Sequence, residues 1–175
     1  YALAVVIAWL NLPLTFRMFK ALPGRGFALS RPIGLLLWGY IFWLLTSLKL
    51  LNNDLAGQLT ALIFLAALNI LLSGRGTLKA LAAWVREKRK FILSVELLFL
   101  AGFALWAFVR AANPAIIGTE KPMEMAFINA ILRSPGFPPN DPWLSGYAIS
   151  YYYFGYVLAA MLIRVTGTLA GVGYN

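Results

Sequence analysis

Between Gly118 and Tyr156 the chain reads GTEKPMEMAFINAILRSPGFPPNDPWLSGYAISYYYFGY, and this stretch holds Glu120, Glu124 and Asp141, half of its six acidic residues. The chain has neither cysteine nor histidine. Disulfides, thiolate nucleophiles, His-based metal sites and imidazole catalysis are therefore excluded, and proton transfer falls to carboxylates, Lys or Tyr. Glu120 and Glu124, four residues apart, lie on one face of a helix and repel unless a cation, a proton or Lys121 relieves them. Asp141 follows Pro138 and Pro139 and precedes Pro142, an extended arm stiff enough to aim a carboxylate. Together the three carboxylates are candidate ligands for Mg²⁺ or Mn²⁺, which take oxygen donors, although their spacing matches no recognised metal motif. Trp143 beside them offers an apolar plate for the membrane interface or for a sugar ring. Tyr151, Tyr152 and Tyr153 stand where an apolar run begins. On a helix, about 100° per residue would send them in three directions, at least one toward a bundle, with Gly155 admitting a close neighbour.

The elements that must position these residues belong in a membrane. Of the 175 residues 61% are hydrophobic and 12% charged, and the mean hydropathy is +0.77. A soluble domain carries about 25% charged residues. The net charge of +9 does not mark a nucleic-acid surface, because the basic residues fall between apolar runs rather than along one solvated face.

Residues 1–90 read as N-terminal membrane helices with basic connectors. Tyr1 to Thr15 is an apolar run too short alone for about 30 Å of hydrocarbon; since the chain begins inside it and ends just after another apolar run, a fragment of a longer protein is expected. Ile33–Leu51 and Leu55–Leu72 form a hairpin of two spans around Asn52-Asn53-Asp54. Residues 73–90 place Leu78, Leu81, Ala82 and Val85 on one stripe, as expected for a helix in the interface plane. The connectors 16–32 and 73–90 are strongly basic, which makes them cytoplasmic by the positive-inside rule.

Residues 91–112 form a further span. Within it Glu96 should face the bundle, paired or protonated, with Lys88 or Arg89 in reach. Arg110 at its far end can snorkel to headgroups or meet an anionic group. The loop 113–146 then lies outside, and a last span, 147–165, returns Arg164 to the inner face. In the loop, Thr119 is expected to cap a helix over 120–133 whose amphipathic face carries Met123, Ala126, Phe127, Ala130 and Ile131, ended by Ser134-Pro135-Gly136. The expected fold is all-α, a polytopic transmembrane helix bundle whose outer loop carries a short amphipathic helix.

Glu96, Arg110, Asn113-Pro114, Gly118 to Met123, Ala126-Phe127, Phe137-Pro138-Pro139, Asp141-Pro142-Trp143, Gly146 and Tyr151 to Gly155 together resemble the Chlor-Arch-YYY family of uncharacterised prokaryotic multi-pass membrane proteins. The resemblance covers about Phe91 to Thr168, with Glu124 where Asp is expected. The layout is similar to the start of the GT-C glycosyltransferase core, here 91–175. It implies a prokaryotic plasma-membrane enzyme that moves a sugar from a polyprenyl-phosphate donor to an acceptor at the outer face. Glu120 would be the base, with Asp141 and Glu124 as further carboxylates at the reacting centre. Arg110, Lys121, Trp143 and the three tyrosines would bind substrate, and membrane lipid, the lipid-linked sugar and the rest of the same chain would be its partners. The competing classes are a non-catalytic assembly or scaffold protein and a transporter. The enzyme needs Glu120 and Asp141 in one cavity, a scaffold needs no convergence, and a transporter needs a polar route across the bilayer.

Overall fold

The computed structural model describes all of Tyr1–Asn175. It consists of α1 (Ala2–Met18), α2 (Ser30–Ser47), α3 (Leu55–Glu87), α4 (Arg89–Ala112), α5 (Lys121–Arg133), α6 (Phe154–Thr166) and α7 (Ala170–Tyr174). The only extended pairing is a single bridge between Asn140 and Ala148. Two helices are long and apolar enough to cross a membrane, α3 and α4, with mean hydropathies of 2.1 and 2.2. Four full spans were expected, and the largest correction falls on the last. α6 has 13 residues, about 20 Å at 1.5 Å each, short of about 30 Å of hydrocarbon. The chain from Tyr147 to Tyr152 is not helical, and Tyr153 is the residue that precedes the first helical turn. The three tyrosines therefore do not fan out around a helix.

The chain forms two compact units. The first comprises residues 1–37 and 63–109. Its core is Leu12, Phe16, Phe27, Trp84 and Ile92, with Leu81, Val85 and Val95 packed on it. Gly74, at φ 70° and ψ 163°, breaks α3, close to where the sequence predicts a change from span to interfacial segment. Leu72 just before the break gives its carbonyl to the Arg17 guanidinium. Beyond the break Trp84 meets Phe16 edge-on at 5.7 Å, so the apolar stripe of that segment packs on protein. Two buried asparagines inside this unit are fastened to each other, whereas the Ser73 hydroxyl is buried without a partner. Asn69 takes the Leu14 amide at 3.3 Å and donates to Asn11 Oδ1 at 3.4 Å, next to Pro13, whose own nitrogen has no hydrogen to give.

Glu96 also has a partner, and it is not Lys88 or Arg89. Its Oε2 accepts from the Arg31 guanidinium, which also lies 4.2 Å from the Phe99 ring centre. The sequence reading assigned Arg31 to topology alone, because its neighbours in the chain gave no sign that it is 65 residues from its counter-ion. In a low-dielectric interior an unpaired charge is costly, and pairing with a guanidinium removes most of that cost.

The second unit comprises residues 38–62 and 110–175. Here α5, α6 and α7 pack together through buried Phe127, Ile128, Ile131, Val157, Ala160 and Met161. Asn53, buried in the turn between α2 and α3, ties this unit. Its side-chain nitrogen donates to the carbonyls of Ile131 and Ser134 at 2.6 and 2.7 Å, and its amide donates to Pro135 O at 3.0 Å. Arg164 completes the junction, donating to Asn53 Oδ1 at 2.9 Å and to Leu132 O at 2.8 Å. Both partners belong to segments expected outside, so Arg164 is not delivered to an opposite inner face. The close helix approach is likewise at a different glycine. A Cβ on Gly39 would lie 2.0 Å from Leu158 Cδ2, whereas nothing lies within 4 Å of one on Gly155.

Candidate functional site

α5 forms where the period of Met123, Ala126, Phe127, Ala130 and Ile131 predicts it, although Ile128 joins Phe127 and Ile131 in the core while Ala126 and Ala130 line a cavity, and Pro122 in its first turn leaves no amide unsatisfied. Glu120, not Thr119, occupies the capping position, and no side chain caps the helix. Ser134 ends it as predicted, its amide and hydroxyl both donating to Ala130 O, at 2.9 and 2.8 Å.

One face of α5 gathers a carboxylate and tyrosine cluster. Glu124 Oε2 accepts from the Tyr174 hydroxyl. Glu120 and Glu124 are both near enough to Tyr156 for their charges to reach it, and Glu120 also acts on Tyr151. Tyr151 donates to the Tyr152 hydroxyl at 2.6 Å, and their rings stack at 3.9 Å. Buried Phe127 anchors the group, with ring centres 5.4 Å from Trp143, 5.6 Å from Tyr151 and 5.5 Å from Tyr156. Tyr153 turns away from this group and accepts from Trp43 Nε1 at 3.1 Å. The tyrosine triplet thus supplies two residues to the cluster and one to packing.

Tyr151, Tyr156 and Tyr174 of the cluster are raised above the ordinary phenol range. Tyr151 is pushed up to about 12, first by its hydrogen bond with Tyr152, then by burial and by the neighbouring Tyr152, Tyr156 and Glu120. Tyr174 is pushed up to about 12 by burial first and then by its hydrogen bond to Glu124. A phenol held neutral is a hydrogen-bond donor across the physiological range.

The candidate cations differ in their commitments. Arg110 donates from Nε to Asn175 Oδ1 at 3.1 Å, and Asn175 in turn donates to the carbonyls of Pro114 and Gly171 at 3.0 and 2.9 Å. Lys121 pairs with neither glutamate, since the ion pairs of the molecule are Arg31 with Glu96 and Lys88 with Glu87.

Asp141 stands apart from this cluster. Its Oδ1 accepts from the amides of Trp143 and Leu144 at 2.8 and 2.9 Å, a local turn bond of the kind Asp makes in loops. It lines a cavity with Ala126, Asn129, Ala130 and Arg133 of α5. At about 100° per residue these four positions are centred half a turn away from Glu124. The expected convergence of Glu120 with Asp141 in one cavity is therefore corrected: the two carboxylates serve opposite faces of α5. The expected Mg²⁺ or Mn²⁺ site shared by Glu120, Glu124 and Asp141 is corrected with it, because no three acidic side chains come together in a metal-binding group. The sequence reading missed Tyr156, Tyr174 and Asn175. Tyr156 was legible in principle as the next aromatic beyond the triplet, whereas Tyr174 and Asn175 lie 50 and 65 residues from the groups they bind.

The chain is all-helical, and two of its helices, α3 and α4, are long and apolar enough to cross a membrane. A family model described as Uncharacterized membrane protein (DUF2298) matches residues 37–175, and the chain belongs to that family. No curated protein matches the chain, and no solved structure does.

Proposed function

We propose that this chain carries the start of a membrane glycosyltransferase core that uses a polyprenyl-phosphate sugar at the outer face, with Glu120 as its base acting without Asp141, so that the version of the enzyme requiring both carboxylates in one cavity is given up. The observation that carries this reading is the state of Glu120. It lies beside the tyrosine hydroxyl cluster, and its side chain, alone among the three carboxylates of the loop, takes part in no hydrogen bond or ion pair. A base must be free to accept a proton, and Asp141, with an oxygen fixed on two amides, is the poorer choice. In the reaction the acceptor oxygen bonds to the anomeric carbon as the carbon–oxygen bond to the lipid phosphate breaks, and the acceptor proton passes to Glu120. Lys121, unpaired, balances the departing phosphate better than Arg110, which is engaged by Asn175. Tyr151 and Tyr152 offer stacked rings and hydroxyl groups to the sugar.

The test is transfer by the full-length protein in liposomes supplied with labelled polyprenyl-phosphate sugars. Glu120→Gln should lower the rate about 10²- to 10⁴-fold, the usual contribution of a general base, while Asp141→Asn keeps most of it. Equal transfer by wild type and Glu120→Gln, or none by wild type, would return the chain to the scaffold class.

A further inference from the structure

The face of α5 opposite Glu124 carries a cavity of about 330 Å³, within the roughly 300–1,000 Å³ of small-molecule sites. Its walls are fixed from several directions. Ser134 Oγ accepts from the Asn140 amide at 2.8 Å, Asp141 N donates to Tyr147 O at 2.9 Å, and Ile149 N donates to Pro139 O at 2.9 Å. Asp141 is held in its rotamer by the Trp143 and Leu144 amides on Oδ1. These bonds leave a set of polar atoms with no protein partner, open to solvent and to a ligand, the Arg133 and Asn140 side chains being exposed. Asp141 Oδ2 is free, and so is Asn129 Oδ1, whose amide nitrogen donates to Met125 O. The Asn140 side chain is free, and the Arg133 guanidinium belongs to neither ion pair of the molecule.

We infer that this cavity binds a monosaccharide-sized, hydroxylated anion, a sugar acid or sugar phosphate. A guanidinium is shaped to take a carboxylate or phosphate through two parallel N–H groups. Asp141 Oδ2 and Asn129 Oδ1 are acceptors that need hydroxyl hydrogens, and the Asn140 amide can give and take. Inorganic phosphate would satisfy Arg133 but leave the acceptors without a hydroxylated ring to fill them. A neutral sugar would fill the acceptors but leave the guanidinium unmatched. Only a ligand with both ends meets the whole set, and Ala126 and Ala130 keep the floor clear for a ring. The site is separate from the Glu120 cluster, so it stands whether or not Glu120 supports sugar transfer.

The experiment is calorimetric titration of the full-length protein in neutral-lipid nanodiscs with glucuronate and with glucose 1-phosphate, against glucose and inorganic phosphate. At least one anionic sugar should bind at least tenfold more tightly than both controls. Arg133→Met and the cavity-filling Ala130→Leu should each weaken it at least tenfold, while Arg75→Met, an exposed cation elsewhere, leaves it unchanged. Repeating the titration in nanodiscs containing phosphatidylinositol identifies the source: weaker apparent binding assigns the site to a lipid headgroup, unchanged binding to a free sugar anion. Absence of binding by both anionic sugars, equal binding of glucose, or an affinity that Arg133→Met leaves intact at an unchanged thermal midpoint overturns the inference.

Discussion

Glu96 in the first unit and Glu120 in the second are treated in opposite ways. Arg31 and Glu96 have side chains only 8% and 18% exposed and are paired with each other, and the buried Asn11 and Asn69 of the same unit are also bonded together. In the second unit Glu120 and Lys121 are adjacent in sequence yet unpaired, and Arg133 and one oxygen of Asp141 face a cavity. Among membrane helices a charge left alone costs several kcal/mol, so the fold neutralises it. On a segment of short helix and loop a charge can remain unmatched at little cost, and that is where a ligand can be received.

The comparison breaks most easily at Glu96. Glu96→Ala leaves a buried guanidinium without its counter-ion and should destabilise the protein by about 3–5 kcal/mol, read as a lower unfolding midpoint in detergent. Replacing both Arg31 and Glu96 by Met should restore stability to about the wild-type level or above it, because the desolvation cost of both charges disappears. Glu120→Gln, by contrast, should change stability by no more than about 0.5 kcal/mol. A Glu120→Gln protein as fragile as Glu96→Ala would mean that Glu120 has a structural partner, and the contrast between the two units would fail.

A loss of similar size is expected at Asn53. Asn53→Ala leaves the Ile131 and Ser134 carbonyls and the Arg164 guanidinium short of partners, and each buried group so stranded costs about 1–3 kcal/mol. Retention of the wild-type midpoint by this variant would show that water replaces the lost bonds. Asp141→Ala should cost less, about 1 kcal/mol, since its turn bonds are solvent-accessible and lie at a loop tip.

The helix content and α5 were legible because they rest on local periodicity: Met123, Ala126, Phe127, Ala130 and Ile131 repeat at helical spacing, and Ser134-Pro135 stops the helix whatever surrounds it; which of them pack was not, since Ala126 and Ala130 line a cavity and Ile128 is buried instead. The break in α3 was marked by Gly74 among polar neighbours. The start of α6 was not legible, because Tyr147 to Tyr153 is apolar enough to extend the run in sequence while its backbone is drawn into the pairing of Asn140 with Ala148 and the packing of Tyr153 against Trp43. The counter-ion of Glu96, the Tyr174 hydroxyl on Glu124 and the placing of Asp141 on the far side of α5 are all long-range facts. No local pattern encodes which of several arginines or tyrosines arrives, so the carboxylates could be nominated from sequence but not sorted into clusters.

A pH dependence separates Tyr174 from the rest of the cluster. Its pKa in the folded protein is about 12 against an ordinary 10.0. Below pH 10 the phenol is protonated in both folded and unfolded chains, so its contribution to stability is fully present. Between pH 10 and 12 the unfolded chain gives up the proton while the folded chain retains it, so the unfolded state is favoured and stability falls as pH rises. Tyr174→Phe cannot titrate there. Thermal midpoints measured between pH 9 and 12 should therefore decline less steeply in Tyr174→Phe than in wild type, and the two should differ little in slope below pH 10. Tyr151, also raised to about 12, remains in both proteins and sets the residual decline. If the slopes coincide across the alkaline range, burial and the bond to Glu124 do not hold the Tyr174 phenol protonated in the folded protein, and the bonded rim beside Glu120 loses its experimental support.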